Sequence, residues 1–217
     1  MNALSPPRAR LPIEVVFDLV CPWCFIGTRR LRRALRARPE LAAELLWRPF
    51  LLNPDQPPAA REPFARRPAN ADRAKRLHAT LTEMGRAEGV PFRFDLIERT
   101  PPSVDAHRLV RLAARRGAAE EVVDRLFVAH FAEGADISDH ATLAGIAAAS
   151  GLERAATRRF LSGEQEAEAV QSENLRAHRL GINGVPCFVI AGRHAIAGAQ
   201  EPEVLQRLLD VALAEVV

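Results

Sequence analysis

The sequence predicts an α/β fold in which a β-α-β unit at the start of the chain and a β-β-α unit at its end are separated by an all-helical insertion. Three observations predict it. Short β-branched apolar runs stand near both ends of the chain. The long middle stretch carries apolar residues at helical spacing between glycine and proline breaks. The first apolar run leads directly into a proline placed where a helix begins.

Ile13-Glu14-Val15-Val16-Phe17 reads as the first strand, and Cys21-Pro22 as the turn into a helix. From Trp23 to Arg36 the residues Ile26, Leu31, Ala34 and Leu35 form a stripe among arginines, and Pro39 closes the helix. Leu45-Leu46-Trp47-Arg48-Pro49-Phe50 is the second strand, expected to pair in parallel with the first through a right-handed crossover. Asn53 to Pro68, rich in proline and small or polar residues, reads as an irregular connection. Between Asn70 and Leu180 five or six helices fit, with Ser103 and Ser138 as N-caps and Ser162 with Gln165 as a capping box. Cys187-Phe188-Val189-Ile190, a turn at Ala191-Gly192-Arg193 and His194-Ala195-Ile196-Ala197 make a hairpin. A last helix starts near Pro202 and presents Val204, Leu205, Leu208, Leu209 and Ala212. The expected division is a core built from residues 11–68 and 181–217, with residues 69–180 as the insertion.

With 217 residues, 48% of them hydrophobic, the chain can bury a core without covalent staples. Three cysteines are too few and too oddly numbered for a disulfide framework, so the close pair reads as chemistry. Met1 to Leu11 holds prolines and arginines and no apolar run of signal-peptide length, and no stretch reaches transmembrane length. A cytoplasmic address is expected. There the thiol pools would favour reduction or exchange over net oxidation. The formal charge is only +3, and the arginines interleave with acids, as from Glu120 to Arg125, so neither nucleic acid nor membrane is an expected partner. Lys75 is the only lysine, which marks the arginine content as a composition bias. The cluster Arg29, Arg30, Arg32, Arg33, Arg36 and Arg38 is read mostly as a solvated face, although a positive field beside the cysteines would favour a thiolate.

The chemistry lies in Cys21-Pro22-Trp23-Cys24. At a strand end and helix N-terminus, unpaired N–H groups and the helix dipole stabilise a negative sulfur. Cysteines so placed titrate at roughly 3.5 to 7.5 instead of about 8.5, which makes Cys21 the nucleophile. Cys24, nearly a turn further on, would stay protonated until a mixed disulfide forms and then resolve it. Pro22 and Trp23 would fix the helix start and tune the potential. A structural zinc half-site is the competing reading of such a pair. Zinc would need two more ligands, from Cys187 and one of His78, His107, His130, His140, His178 or His194, and no second Cys-x-x-Cys or His-x-x-x-His spacing offers them, so no metal is expected.

Gly184-Val185-Pro186 before the third strand is a second signal. Together with Asp18-Leu19-Val20 before the cysteines, Trp47-Arg48-Pro49-Phe50-Leu51-Leu52-Asn53-Pro54, Asp105-Ala106-His107-Arg108-Leu109 and Ile196-Ala197-Gly198-Ala199-Gln200, it makes nearly the whole chain resemble the FrnE-like branch of the DsbA family. The resemblance implies a thioredoxin-like fold interrupted by the helical insertion, and thiol–disulfide exchange with protein or small-molecule partners. It also implies a cis peptide before Pro186 that sets the Val185 backbone beside Cys21, with Pro22, Trp23, Val185 and Pro186 contacting substrate. No bound cofactor is implied, and glutathione is a candidate reductant or co-substrate. Two departures stand out: Cys187 follows the proline where relatives usually carry a non-thiol residue, and Phe25 replaces a tyrosine. Cys187 is either a third redox participant or a small apolar residue in a strand. Asp18 is an auxiliary candidate as a proton acceptor or relay, or as a turn residue, and His107 as a residue lining the cleft under the helical insertion, or as a capping or packing residue. Two rivals remain. Hydroxychromene carboxylate isomerases, which are glutathione-dependent, generally have serine where Cys21 stands and lack the second cysteine. A chaperone-like binding module would need neither thiol, and an exposed apolar face of the insertion would suit a homodimer.

Overall fold

In the computed structural model, which describes residues 10–54 and 71–215, the first strand, β1 (Leu11–Phe17), starts two residues earlier than the apolar run. Its neighbour β2 (Ala43–Pro49) explains the extension: the two pair in parallel from Leu11 opposite Ala43 to Phe17 opposite Pro49. On its other edge β1 pairs antiparallel with β3 (Cys187–Ile190), and β3 pairs antiparallel with β4 (His194–Ala197). The order is β2-β1-β3-β4. A central strand is covered on both faces, which is why Leu11, Ile13, Val15 and Phe17 join one core cluster while Val16 joins a second with Phe50, Ala177 and Cys187.

Helix α1 (Pro22–Arg36) buries Cys24, Phe25, Ile26, Leu31 and Ala34 against the larger cluster. Its arginines are paired more than solvated. Arg30 is buried, bonded to Glu88 at 3.0 Å and to the Ala199 carbonyl at 2.7 Å, while Arg29 and Arg32 meet Asp124. The positive field expected beside the cysteines is therefore offset by these acids.

Between β2 and β3 lie α2 (Ala71–Ala87), a short 3-10 turn (Phe94–Leu96), α3 (Val104–Ala114), α4 (Ala119–Phe131), α5 (His140–Ala149), α6 (Arg154–Ser162) and α7 (Ala167–Arg179). Among the described residues six helices stand where five or six were expected; the irregular connection expected over 53–68 lies mostly outside them. The chain ends in α8 (Pro202–Ala214). Leu109 of α3, Phe127 of α4 and Leu205 of α8 all enter the same cluster as β1, so one core runs through the sheet and the inserted helices. Among the described residues no helix is long and apolar enough to cross a membrane.

The helix starts correct the cap expectations. Ser103 holds the N-cap position of α3 without a side-chain cap bond. Asp139, not Ser138, caps α5 by accepting the Thr142 N–H at 2.8 Å, since the next residue's carboxylate is the stronger acceptor; Ser138 instead bonds Asp136. The Ser162–Gln165 box does not form. Ser162 is the last residue of α6 and bonds back to the Arg159 carbonyl, and that helix end is held by Arg108 instead.

Candidate active site

Cys21 is the N-cap of α1, with extended backbone and Pro22 at the first helical position. Its N–H donates to the Asp18 carbonyl at 3.1 Å, and its own carbonyl accepts from Cys24 N–H at 3.0 Å and Phe25 N–H at 3.3 Å. The backbone thus makes the turn that puts the sulfur at the helix mouth. No acidic residue in the first turn opposes the positive end of the helix there. The thiol makes no cap bond; it donates to the Val185 carbonyl at 3.6 Å, and the residue keeps 4% of its surface exposed. Val20, Pro22, Trp23 and Val185 are half-buried.

Cys24 has no exposed surface. Burial, and after it the hydrogen bond and charge of Cys21, push its thiol well above the ordinary cysteine value; a backbone hydrogen bond with Asp18 pulls weakly the other way. All three cysteines are free thiols. The two cysteines of the motif are therefore unequal: one sits at a helix end with a trace of its surface exposed, and the other stays protonated behind it.

The Val185–Pro186 peptide is cis. Pro186 is anchored by its carbonyl, which accepts the Gly198 N–H at 2.7 Å, and by Gly27 of α1. A Cβ on Gly27 would lie 2.7 Å from Pro186 Cγ, so this glycine allows the helix and the loop to close on each other. Sequence reading passed over Gly27, whose constraint comes from a loop far along the chain. Cys187 follows Pro186, yet its side chain packs with Val16, Phe50 and Ala177 in the second cluster, and burial pushes its thiol up.

Asp18 and His107 come together. Both are fully buried, with His107 Nε2 3.5 Å from Asp18 Oδ1. Asp18 Oδ2 accepts the Leu52 N–H at 2.8 Å, which ties the β2 exit to the turn before Cys21. Neither ring nitrogen of His107 has a hydrogen-bond partner among the described residues. Among those residues no group of three or more His, Cys, Asp and Glu side chains is arranged to hold a metal ion. A cavity of about 860 Å³ lies between Arg32, α4 and α5, and neither Cys21 nor Cys24 lines it.

Comparison with known proteins gives this arrangement a family. At 28% identity and a TM-score of 0.86, over 95% of this chain and 91% of the other, the structure is similar to the crystal structure of a probable DsbA oxidoreductase from Streptomyces coelicolor. It is similar in fold to 2-hydroxychromene-2-carboxylate isomerase, at 18% identity and a TM-score of 0.70 over 94% of this chain and 95% of that one. It is likewise similar in fold to the cytosolic disulfide reductase DsbM from Pseudomonas aeruginosa with GSH, at 23% identity and a TM-score of 0.65 over 94% and all of the respective chains. The model of the DSBA-like thioredoxin domain matches residues 12–210, from β1 to α8 with the cysteine turn inside it, and the chain belongs to that family.

Proposed function

We propose that the chain is a cytoplasmic thiol–disulfide oxidoreductase of the FrnE-like branch, with Cys21 as nucleophile and Cys24 as resolving thiol. The observation that carries it is the inequality of the two cysteines: Cys21 at the mouth of α1 against the Val185 carbonyl, Cys24 buried and protonated behind it. The Cys21 thiolate attacks a substrate disulfide, one substrate sulfur leaves as thiolate, and a mixed disulfide forms. Cys24 then attacks Cys21, the second substrate sulfur leaves, and the enzyme holds the Cys21–Cys24 disulfide. Two electrons pass to the substrate, and a thiol reductant returns them to the enzyme.

Val185 and Pro186 would receive an extended substrate segment in a strand-like manner, with Pro22 and Trp23 on the other side of the sulfur. Glutathione is the first reductant to test, because a cytosolic disulfide reductase of the same fold was solved with GSH. The isomerase reading shares the fold, but it gives no role to Cys24. The binding-module reading gives none to either thiol, and it would require client binding unchanged in Cys21→Ser.

The test is equilibration in glutathione redox buffers. A reversible two-electron couple is expected, lost in Cys21→Ser, with Cys24→Ser accumulating a glutathione mixed disulfide on Cys21. Two thiols that stay reduced at every buffer ratio would overturn the proposal.

A further inference from the structure

Arg30 occupies a place on the buried face of α1 that a core would ordinarily fill with an apolar residue. It stands one turn beyond Gly27 with 5% of its surface exposed, and its guanidinium is divided among three other segments of the chain. Nε donates to Glu88 Oε1 at 3.0 Å just past α2, Nη1 donates to the Ala199 carbonyl at 2.7 Å, and Nη2 meets Glu201 Oε1 at 2.7 Å at the start of α8. The Glu88 side chain is buried as well and gives its other oxygen to Arg33. Burying such a pair gains little stability over well-packed apolar side chains, whereas a planar fork fixes several acceptors in one geometry. Of these acceptors Ala199 bears on the site. Its neighbour Gly198 donates its N–H to the Pro186 carbonyl at 2.7 Å, and Ala199 Cα lies 3.5 Å from where a Gly27 Cβ would stand. Gln200 closes the same loop on itself, its N–H bonded to the Gly198 carbonyl at 2.9 Å and its Nε2 to the Ala197 carbonyl at 2.7 Å. On the other side the Val185 carbonyl accepts the Cys21 thiol at 3.6 Å. One helix therefore holds the Val185–Pro186 segment twice, at its N-cap through the Cys21 sulfur and further along through Arg30 and the Gly198–Ala199 loop.

Resting on the oxidoreductase reading above, we infer that Arg30, oriented by Glu88, is a positioning residue that holds the Val185–Pro186 segment ready for an extended polypeptide, and so favours polypeptide disulfides over small ones. An extended substrate pairs with such a segment through backbone hydrogen bonds. A segment already fixed binds it without a further ordering cost, and one free to shift must be ordered as the substrate arrives, which weakens binding. A small disulfide without peptide groups makes no such pairing and is indifferent to the clamp. Arg30 lies behind the loop, away from the sulfurs, so it acts on substrate binding and not on the rate of attack in the bound complex.

The experiment compares the fully reduced full-length chain with Arg30→Lys and with Arg30→Met/Glu88→Gln, the second of which leaves no carboxylate buried without Arg30. Single-turnover reduction of a peptide disulfide and of hydroxyethyl disulfide is followed against substrate concentration. The half-saturating concentration of the peptide is expected to rise about tenfold in the double variant, with its maximal rate kept within about twofold. Arg30→Lys should rise less, because an ammonium keeps the charge but cannot reach all three acceptors. The rate constant for hydroxyethyl disulfide should change by less than about twofold in either variant. Equal losses on both disulfides, or a lower maximal rate at unchanged half-saturation, would mark a smaller folded fraction and overturn the proposal, and so would no change on the peptide. Amide hydrogen exchange gives a reading without turnover: the Gly198 N–H should exchange faster in both variants while the β1–β3 ladder keeps its parent rates. If the double variant does not fold, Arg30→Lys decides by the same criteria. A parent that reduces neither disulfide sinks the oxidoreductase reading, and the Gly198 exchange then still decides whether Arg30 holds the loop, parent-like exchange in both variants overturning it.

Discussion

Gly27 shows how one absent methyl group sets the site. Within a helix, alanine in place of glycine ordinarily gains about 1 kcal/mol. At Gly27 the added Cβ would stand 2.7 Å from Pro186 Cγ and 3.3 Å from Phe188 Cζ, so an overpacking cost of about 1–3 kcal/mol is expected to outweigh that gain. Gly145 in α5 is the control, because a Cβ there meets only Arg154 Nη2 at 3.8 Å. Urea unfolding should show Gly145→Ala more stable than the parent and Gly27→Ala less stable. A gain at both positions would mean that the Pro186 loop yields freely. The motif at Cys21 was legible because its cues are adjacent: a strand, a turn, a proline at the helix start. Gly27 was not, because what forbids a side chain there is contributed by β3 and the loop before it.

At the scale of the element, Arg108 of α3 holds the end of α6. Its guanidinium donates to the carbonyls of Phe160, Leu161, Gly163 and Gln165, pairs with Asp105 and lies over the Phe160 ring at 5.2 Å. Arg108→Leu would strand several carbonyls and leave the half-exposed Asp105 carboxylate with His140 as its partner, for an expected loss of about 3 kcal/mol. Arg108→Lys keeps the charge without the planar fork and should recover only part of it. Hydrogen exchange would locate the damage, with faster exchange expected first in α6 and at the start of α7; uniform exchange would contradict the assignment. The failed capping box belongs to this scale too. Ser162 and Gln165 have the spacing of a helix start, but the sequence pattern does not say that Arg108 gathers the preceding carbonyls and keeps α6 running to Ser162. Helix existence, set by apolar period, was legible; the identity of caps, set by competition between nearby acceptors, was less so.

Across the whole molecule, stability should depend on pH through His130. Burial lowers its pKa from the ordinary value of 6.5 to about 4. Between those values the unfolded chain binds the proton and the folded chain does not, so stability is complete above pH 6.5 and is lost as the pH falls toward 4. The loss amounts to about 3 kcal/mol over the whole window. His130→Gln, which does not titrate, should flatten this limb in urea unfolding series from pH 7 to 4.5. An unchanged limb would assign it to other groups. The carboxylates Asp139 and Glu153, held low by backbone N–H groups at helix starts, lose their contributions only below their ordinary values of 3.8 and 4.5, so they leave most of the window to His130 and to His78, which burial also lowers.

The sequence by itself determined the order of the elements, the strand-to-helix turn at Cys21 and the helical stretch between β2 and β3. Each is encoded over a few neighbouring residues as periodicity or turn chemistry. Only the tertiary structure decided that Cys187 packs in the second cluster, that the α1 arginines are paired with acids, and that His107 faces Asp18. Those outcomes depend on which distant surfaces meet and how much water they exclude, and neither quantity is written in local spacing.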